Sequence, residues 1–455
     1  MPGTVLPVAC ATPVRAWLAS LRGRRMQRWV PVTDRTLTFD GQQYPDGAAS
    51  DPIALGLMQG SPPPADKRIR FEDDRFFAFP AIRWSLSHMR ELIPTACVAR
   101  GAEPPSELGT VDTDRAAAID ALRFTDLSGT PRDWAASLLD TYCDGMLILH
   151  RGQRVYERYF GALRAERPHC CFSITKSYAA TLAATLIHER VLDEQRLVPH
   201  YLPEMAGTAY ADVRLRELLD MQVGVAYSEL YSDPGASVWD YARAGGLRAR
   251  PAGYSGPGSF YEFLVTLRKE GEHGEAFAYK TVNTELLCWI LKRVTGTPLA
   301  DLFAERFWAP IGCERDGYLS VDSIGVEMGG GGLSACLRDL ARFGELMRTD
   351  GAWGSRQVVP AAVVAAIRRG SDPAKFAKAG YELLRGFSYR DMWWITHDRF
   401  GAFEARGIHG QRLYVAPKAE VVIARFASHP IASSAANDPI TMPGFAAVAE
   451  WLMRA

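Results

Sequence analysis

The chain carries no excess of charge of either sign. Its 52 lysines and arginines are balanced by 52 aspartates and glutamates, so the formal net charge is zero. Such a chain has no electrostatic footprint for nucleic acid and no polybasic patch for an anionic membrane. It has no apolar run approaching the roughly 18 residues of a membrane span. Between Met1 and Arg25 no positive charge precedes the short apolar stretch, the reverse of a secretory leader. These absences lead to the expectation of a cytoplasmic protein with neither nucleic acid nor membrane as partner, acting on a small molecule held in a pocket. Cys10, Cys97, Cys143, Cys170, Cys171, Cys288, Cys313 and Cys336 form no C-x-x-C pair. Their scatter argues for reduced thiols, against a disulfide framework and against a zinc site. Other catalytic signatures are also missing. There is no G-x-S-x-G elbow. His188-Glu189 lacks the second histidine of a zinc protease, and Gly329–Gly332 is not followed by the Lys-Ser/Thr of a phosphate loop. No internal repeat or low-complexity tract occurs.

With 455 residues, 47% hydrophobic and 23% charged, the composition is that of an ordinary globular protein with a large core. Residues 1–57 look irregular and are set apart as an N-terminal extension. The prolines of residues 59–75 forbid helix there. Apolar spacing predicts helices at 113–122 and 133–140. Met146–His150 and Val155–Phe160 then read as a hairpin around Arg151-Gly152-Gln153, with a second hairpin from Arg412–Ala416 and Glu420–Phe426. Tyr389–Thr396 alternates like one further strand, and a helix over Phe445–Arg454 closes the chain. Between them the signals are helical: Ile174–Val191, Arg214–Met221, Thr284–Thr295, Pro298–Trp308 and Cys336–Met347. Strands from both ends around a helical middle predict an α/β fold. One antiparallel sheet is flanked by N- and C-terminal helices, with an inserted all-helical subdomain at roughly 195–350 in a domain spanning 58–455. The cleft between sheet and insert is the natural ligand site.

Cys171-Phe-Ser173-Ile-Thr-Lys176 lies at the head of the strongest helix pattern. Residues three apart share a helix face, so Lys176 can bring its amine to the Ser173 hydroxyl. A serine hydroxyl is a weak nucleophile until a neighbour takes its proton. A free lysine titrates near about 10.4, but burial and cationic neighbours lower that enough to make a base. The helix N-terminus adds partial positive charge and free N–H groups, which favour an oxyanion. A bare S-x-x-K also arises by chance. The plain alternative is an N-cap serine with a surface lysine.

Phe172-Ser-Ile-Thr-Lys-Ser177 resembles the nucleophile motif of class C β-lactamases, DD-peptidases and their esterase relatives. Tyr279, in Gly274-Glu-Ala-Phe-Ala-Tyr279-Lys-Thr-Val-Asn283, matches the tyrosine of that family's second motif. The resemblance implies that this phenol shares protons with the lysine and the leaving group. Met328-Gly-Gly-Gly-Gly-Leu-Ser334 with Arg338–Phe343 looks like a further landmark. Within the family the likeness is greatest to 6-aminohexanoate-dimer hydrolases and their carboxylesterase-like relatives. It is carried by Met58-Gln-Gly-Ser-Pro-Pro-Pro, Phe79-Pro-Ala-Ile-Arg-Trp-Ser-Leu-Ser-His, Tyr279-Lys-Thr-Val-Asn-Thr and Gly407-Ile-His-Gly-Gln411, and it runs from about residue 58 to the end of the chain.

The resemblance implies a third element, a K-T-G strand whose next residue donates an N–H to the oxyanion. The preferred register is Ala405-Arg406-Gly407 followed by Ile408, which makes Ser173 and Ile408 the oxyanion hole; Ile408-His409-Gly410 is the competing register. Tyr231, in Ser228-Glu-Leu-Tyr-Ser-Asp-Pro234, resembles a loop tyrosine that binds the substrate amide nitrogen, and His409 is expected in the pocket wall. The K-T-G lysine is absent in both registers. Thr281 stands where the family has an asparagine two residues after the tyrosine. Both departures put penicillin hydrolysis in doubt but leave Ser173, Lys176 and Tyr279 intact. The expectation is a serine hydrolase that cleaves a linear amide or ester through an acyl-enzyme, without metal or organic cofactor and, by resemblance, as a homodimer. A carboxylesterase or weak class C β-lactamase is the alternative within the class. A non-catalytic ligand-binding relative is the alternative outside it.

Overall fold

A computed structural model describes residues 35–454; residues 1–34, and Cys10 among them, lie outside the described residues. Seven strands form one antiparallel sheet: β1 (Cys143–His150), β2 (Gln153–Tyr159), β3 (Ser388–Arg390), β4 (Trp393–Ile395), β5 (Phe403–Gly407), β6 (Gln411–Ala416) and β7 (Val421–Ala427). Their order is β3-β4-β5-β6-β7-β1-β2. The two ends of the chain meet where β7 pairs with β1, Val421 opposite His150 and Arg425 opposite Met146. Every residue of β1 and β7 is buried, because helices cover both faces of the sheet. Leu147 and Leu149 point to one core, and Met146 and Ile148 to the other.

On the first face lie α1 (Ile174–His188) and α3 (Leu337–Arg348), with α2 (Val282–Thr295) beyond them. Residues Ile174 to Leu186 of α1 are all buried. A helix that is apolar all round belongs at the centre of a core. Ser177 Oγ donates to Met392 O at 2.8 Å, and Trp393 Nε1 donates to Thr181 Oγ1 at 3.0 Å, so α1 is fixed to the turn between β3 and β4. α3 approaches the sheet at Gly344, where a Cβ would lie 2.5 Å from Val422 Cγ1. On the second face lies α4 (Asp438–Arg454), through Phe445, Val448, Ala449 and Leu452.

Both expected hairpins form. Arg151 and Gly152 take φ of 53° and 75°, the two left-handed residues of a tight hairpin turn. The stretch expected as one strand at 389–396 is instead the hairpin of β3 and β4, turning at Asp391 and Met392 with φ of 48° and 56°. Met392 is no turn signal, and Asp391 alone is a weak one. The bend is held from outside by Arg216, which pairs with Asp391 at 2.6 Å.

Two corrections concern the insert and the extension. The segment 195–350 is not all helical: Gly317–Ser320 and Leu333–Ala335 join Thr95–Val98 and His169–Cys170 in a second, four-stranded sheet. Part of the stretch set apart as an extension is folded onto the domain. Thr36–Phe39 pairs with Gln42–Pro45. Tyr142 donates to the Pro45 carbonyl at 3.0 Å, and the Phe39 ring meets His429 with centroids 4.6 Å apart. No helix among the described residues is long and apolar enough to cross a membrane.

A buried square of charge locks α4 to the sheet. Arg406 and Arg412 each contact both Glu404 and Asp438, and none of the four is more than 6% exposed. The square is neutral as a whole, so losing one acid strands two guanidinium groups in the core. Asp438→Ala is expected to lower unfolding free energy by about 3–5 kcal/mol, to be measured by urea denaturation.

Candidate active site

The turn that presents Ser173 is strained and tightly tied. Cys170 N–H donates to Leu86 O at 2.7 Å and Cys171 N–H to Leu333 O at 2.8 Å. Phe172 then adopts φ of 44°, a conformation costly for a bulky residue. It turns the chain abruptly from the small sheet into α1. Thr175 Oγ1 fixes the bend by donating to Phe172 O at 2.6 Å and accepting Leu333 N–H at 3.1 Å. Ser173 stands at the N-cap but makes no side-chain capping bond. Its hydroxyl is engaged with Lys176, whose Nζ lies 2.8 Å from Ser173 Oγ. The N-cap reading of the motif is thereby answered: lysine and serine face one another, and the lysine is only 1% exposed.

The amine also donates to Gly330 O at 2.5 Å. That carbonyl is aimed by α2. Glu285 takes the N–H groups of Gly329 and Gly330 at 3.0 and 2.8 Å, and the Tyr241 hydroxyl at 2.6 Å. The loop must be glycine to lie this close. A Cβ on Gly329 would fall 2.1 Å from Cys288 Sγ, and one on Gly330 would fall 2.4 Å from Thr281 Cγ2. Thr281, Glu285 and Cys288 are four and three residues apart and so form one helix face. Burial pushes the Lys176 amine down to about 8, against the opposing pull of Glu229, Glu285 and Cys288.

Tyr279 precedes α2. Its ring lies under the amine, with Lys176 Nζ 5.1 Å from the ring centroid. Trp394 of β4 stacks on it at 5.5 Å, and Arg406 lies over Trp394 at 5.2 Å. Burial holds the phenol well above its usual range, and the Glu229 carboxylate adds to this; contact with the Ser173 hydroxyl opposes it. Tyr279 is therefore a neutral phenol, while Lys176 is the group that titrates near neutrality. Ser173 and Tyr279 are only half-buried, so the site opens outward.

β5 ends at Gly407 against the turn: a Cβ there would lie 2.6 Å from Cys171 O. Ile408, half-buried, follows directly. In the competing register, Ile408–Gly410 is a one-turn 3₁₀ segment off the strand, and the next residue, Gln411, already pairs with Gly407 in the β5–β6 ladder. The geometry therefore favours the register that ends in Ile408. Ser173 N–H meets no acceptor among the described residues.

Tyr231 is half-buried, with its ring 5.9 Å from Trp239 and its phenol facing Glu229. His409, expected in the pocket wall, is 9% exposed. Its Nδ1 meets His429 O at 2.7 Å, its N–H donates to Ala432 O, and its ring packs 5.6 Å from Phe172. It braces the turn from behind, and burial lowers its pKa to about 4. Sequence reasoning missed Glu229 and Glu285. For Glu285 a signal exists: an acid on a helix face otherwise bound for the core. For Glu229 there is none, because only the folded loop brings it near. Among the described residues no group of three His, Cys, Asp or Glu side chains could hold a metal ion.

A serine activated by a buried lysine beside a neutral tyrosine, at the head of a helix packed on an antiparallel sheet, defines a serine hydrolase of the acyl-transfer class. Comparison with known proteins places it. Residues 134–441 match the Beta-lactamase family. A 6-aminohexanoate-dimer hydrolase of Paenarthrobacter ureafaciens is 34% identical over 357 residues, covering 77% of this chain and 86% of that protein. Among solved structures, a candidate 6-aminohexanoate-dimer hydrolase from Bacillus anthracis superposes with a TM-score of 0.76 at 28% identity, covering 86% of this chain and 99% of the other. A family VIII carboxylesterase shares the fold, with a TM-score of 0.54 at 16% identity over 77% of this chain and all of that one. The chain belongs to the β-lactamase family and is a serine hydrolase of amide or ester bonds.

A lysine serving as base to a serine hydroxyl must itself be unprotonated. Below about 8 the amine holds its proton, so acylation by a p-nitrophenyl ester is expected to rise with pH through a midpoint near 8. Lys176→Ala should lower the rate by about 10²–10⁴-fold and remove this limb, as stopped-flow measurement across pH would show.

Proposed function

We propose that Ser173 is the nucleophile, Lys176 its base and Tyr279 the proton donor to the leaving group, and that the substrate is a linear amide of the 6-aminohexanoate-dimer type. The observation that carries this is the 2.8 Å approach of the Lys176 amine to the Ser173 hydroxyl, above the Tyr279 ring. Ser173 attacks the carbonyl as Lys176 takes its proton. The oxyanion rests on the N–H groups of Ser173 and Ile408; one such donor is worth about 10²–10³ in rate. Tyr279, a neutral phenol, gives its proton to the departing amine and regains one from Lys176. Water then cleaves the acyl-enzyme by the reverse proton path. Tyr231 is assigned to the amide nitrogen.

The amide preference is supported by the relatives named above. Ester cleavage is the second reading, favoured by the two departures from the β-lactam-gripping motifs, Thr281 and the missing strand lysine. We further propose a cytoplasmic homodimer without nucleic acid or membrane partner; the seven unpaired cysteines among the described residues accord with a reducing setting.

Intact-mass spectrometry across a panel of a p-nitrophenyl ester, nitrocefin and the linear 6-aminohexanoate dimer tests the assignment. The wild type is expected to gain one acyl group on Ser173 and to turn over ester and dimer but not nitrocefin, with no adduct on Ser173→Ala. Folded wild-type protein that takes no adduct, even from a fluorophosphonate, would be a binding protein.

A further inference from the structure

A cavity of about 360 Å³ is walled by residues from 53–59, 84–91 and 162–167. Its volume is that of a small-molecule site, and none of Ser173, Lys176 and Tyr279 lines it. Residues 161–168 lead from β2 towards the nucleophile turn. This loop bends at Gly161, with φ of 57°, and Arg167 N–H donates to Arg164 O at 3.1 Å. Arg164 and Arg167 are thereby brought to one cavity. Arg164 Nη1 donates to the carbonyls of Gly161 and Leu163 at 2.8 and 2.7 Å. Arg167 Nη1 meets His88 Nε2. Neither guanidinium pairs with an acid among the described residues. His88 is 6% exposed, and its ring stacks on Trp84 with centroids 3.8 Å apart. Its Nδ1 lies 2.7 Å from Trp84 O, which can only accept, so Nδ1 carries the proton and Nε2 is the acceptor for Arg167. The imidazole is thus neutral and leaves the charge of Arg167 uncompensated.

We propose that this cavity is a second binding site, for a small monocarboxylate on an apolar chain, with the carboxylate at Arg164 and Arg167 and the chain along Ile53, Met58 and Trp84. A guanidinium is a planar fork of donors that matches a carboxylate in two parallel bonds. Two of them without acids, against one acid in the lining, Glu91, leave the cavity positive. Glu166, between the arginines in sequence, does not line it. Glu91 repels a dianion such as phosphate more than a singly charged carboxylate. The apolar lining separates an organic acid from a bare ion, and Ile53, 41% exposed, gains cover from a carbon chain. The acid that amide or ester hydrolysis releases belongs to this class. The site lies behind the nucleophile turn: Leu86, two residues before His88, accepts Cys170 N–H, and the arginine loop runs directly into Cys170.

Isothermal titration of the full chain with hexanoate, hexylamine and inorganic phosphate tests this, and needs no turnover by Ser173. Hexanoate is expected to bind once per chain, more tightly than the other two. Arg164→Ala should weaken it about tenfold, the loss of one charge-assisted contact. Arg164 is exposed and bonds only to carbonyls of its own loop, so this variant keeps the fold. Ile53→Asp puts a negative charge on the apolar wall without touching either arginine, and should weaken hexanoate by at least as much. Glu91→Gln removes the repelling charge and should tighten hexanoate and phosphate alike, a gain that a purely structural role for the arginines does not give. All three positions lie outside the catalytic centre, so dependence on them places hexanoate in the cavity. The proposal is overturned by folded wild-type protein that binds no hexanoate, by equal affinity in wild type and every variant with a wild-type circular dichroism spectrum, or by hexylamine or phosphate binding as tightly as hexanoate.

Discussion

The site depends on one buried amine. Lys176 is 1% exposed, and an ammonium so placed is expensive to keep. Most of its surroundings follow from that cost. The amine needs acceptors, and it has two, the Ser173 hydroxyl and the Gly330 carbonyl. The carbonyl points inward only because Glu285 takes the two N–H groups of the loop, and the loop reaches Glu285 only because it has no side chains. The hydroxyl is free to meet the amine because Ser173 declines the capping bond that its position offers. The same desolvation that makes the ammonium costly brings the amine near 8, where it becomes a usable base.

Much of this could be seen in the sequence. The S-x-x-K spacing, the helix behind it and the glycine run were visible because each is local: three residues make one turn, and four glycines in a row are rare. The sheet hairpins were visible because alternation and turn chemistry agreed. The β3–β4 hairpin was hidden because Asp391 and Met392 bend under constraint from Arg216 and Asp220, more than 160 residues earlier in the chain. The small sheet escaped notice because its strands are two to four residues long and come from three separate regions of the chain, too short for a period to register. Glu229 could not be found, since its significance lies wholly in where the loop folds. His409 sits beside the motif, where its Nδ1 meets the His429 carbonyl and its ring packs against Phe172, a tertiary arrangement no local spacing could show.

The two titratable partners divide the labour by environment. Tyr279 and Lys176 share one buried setting, and desolvation acts on them in opposite senses because it always penalises the charged form. It lowers the amine and raises the phenol. A tyrosinate is therefore disfavoured, and the amine is the group of the two that deprotonates first. The stack beneath the phenol preserves this arrangement. Trp394 holds the Tyr279 ring, Arg406 covers Trp394, and Arg406 is itself held by Glu404 and Asp438. Asp438 is the first residue of α4, so the C-terminal helix supports the stack beneath the Tyr279 ring.

That stack also bears on what became of the third family motif. The strand here carries Arg406 in place of a K-T-G sequence, and its guanidinium is turned into the protein, paired with two acids, rather than offered to a ligand. Its charge is spent on holding Trp394 and α4. A substrate arriving at this strand meets the end of β5 and Ile408, but no free cation from the motif. A carboxylate adjoining the scissile bond, as in a β-lactam, finds no partner on this strand, whereas an acyl chain that is uncharged next to its carbonyl loses nothing. The guanidinium at this position serves the core, holding Trp394 and α4 in place.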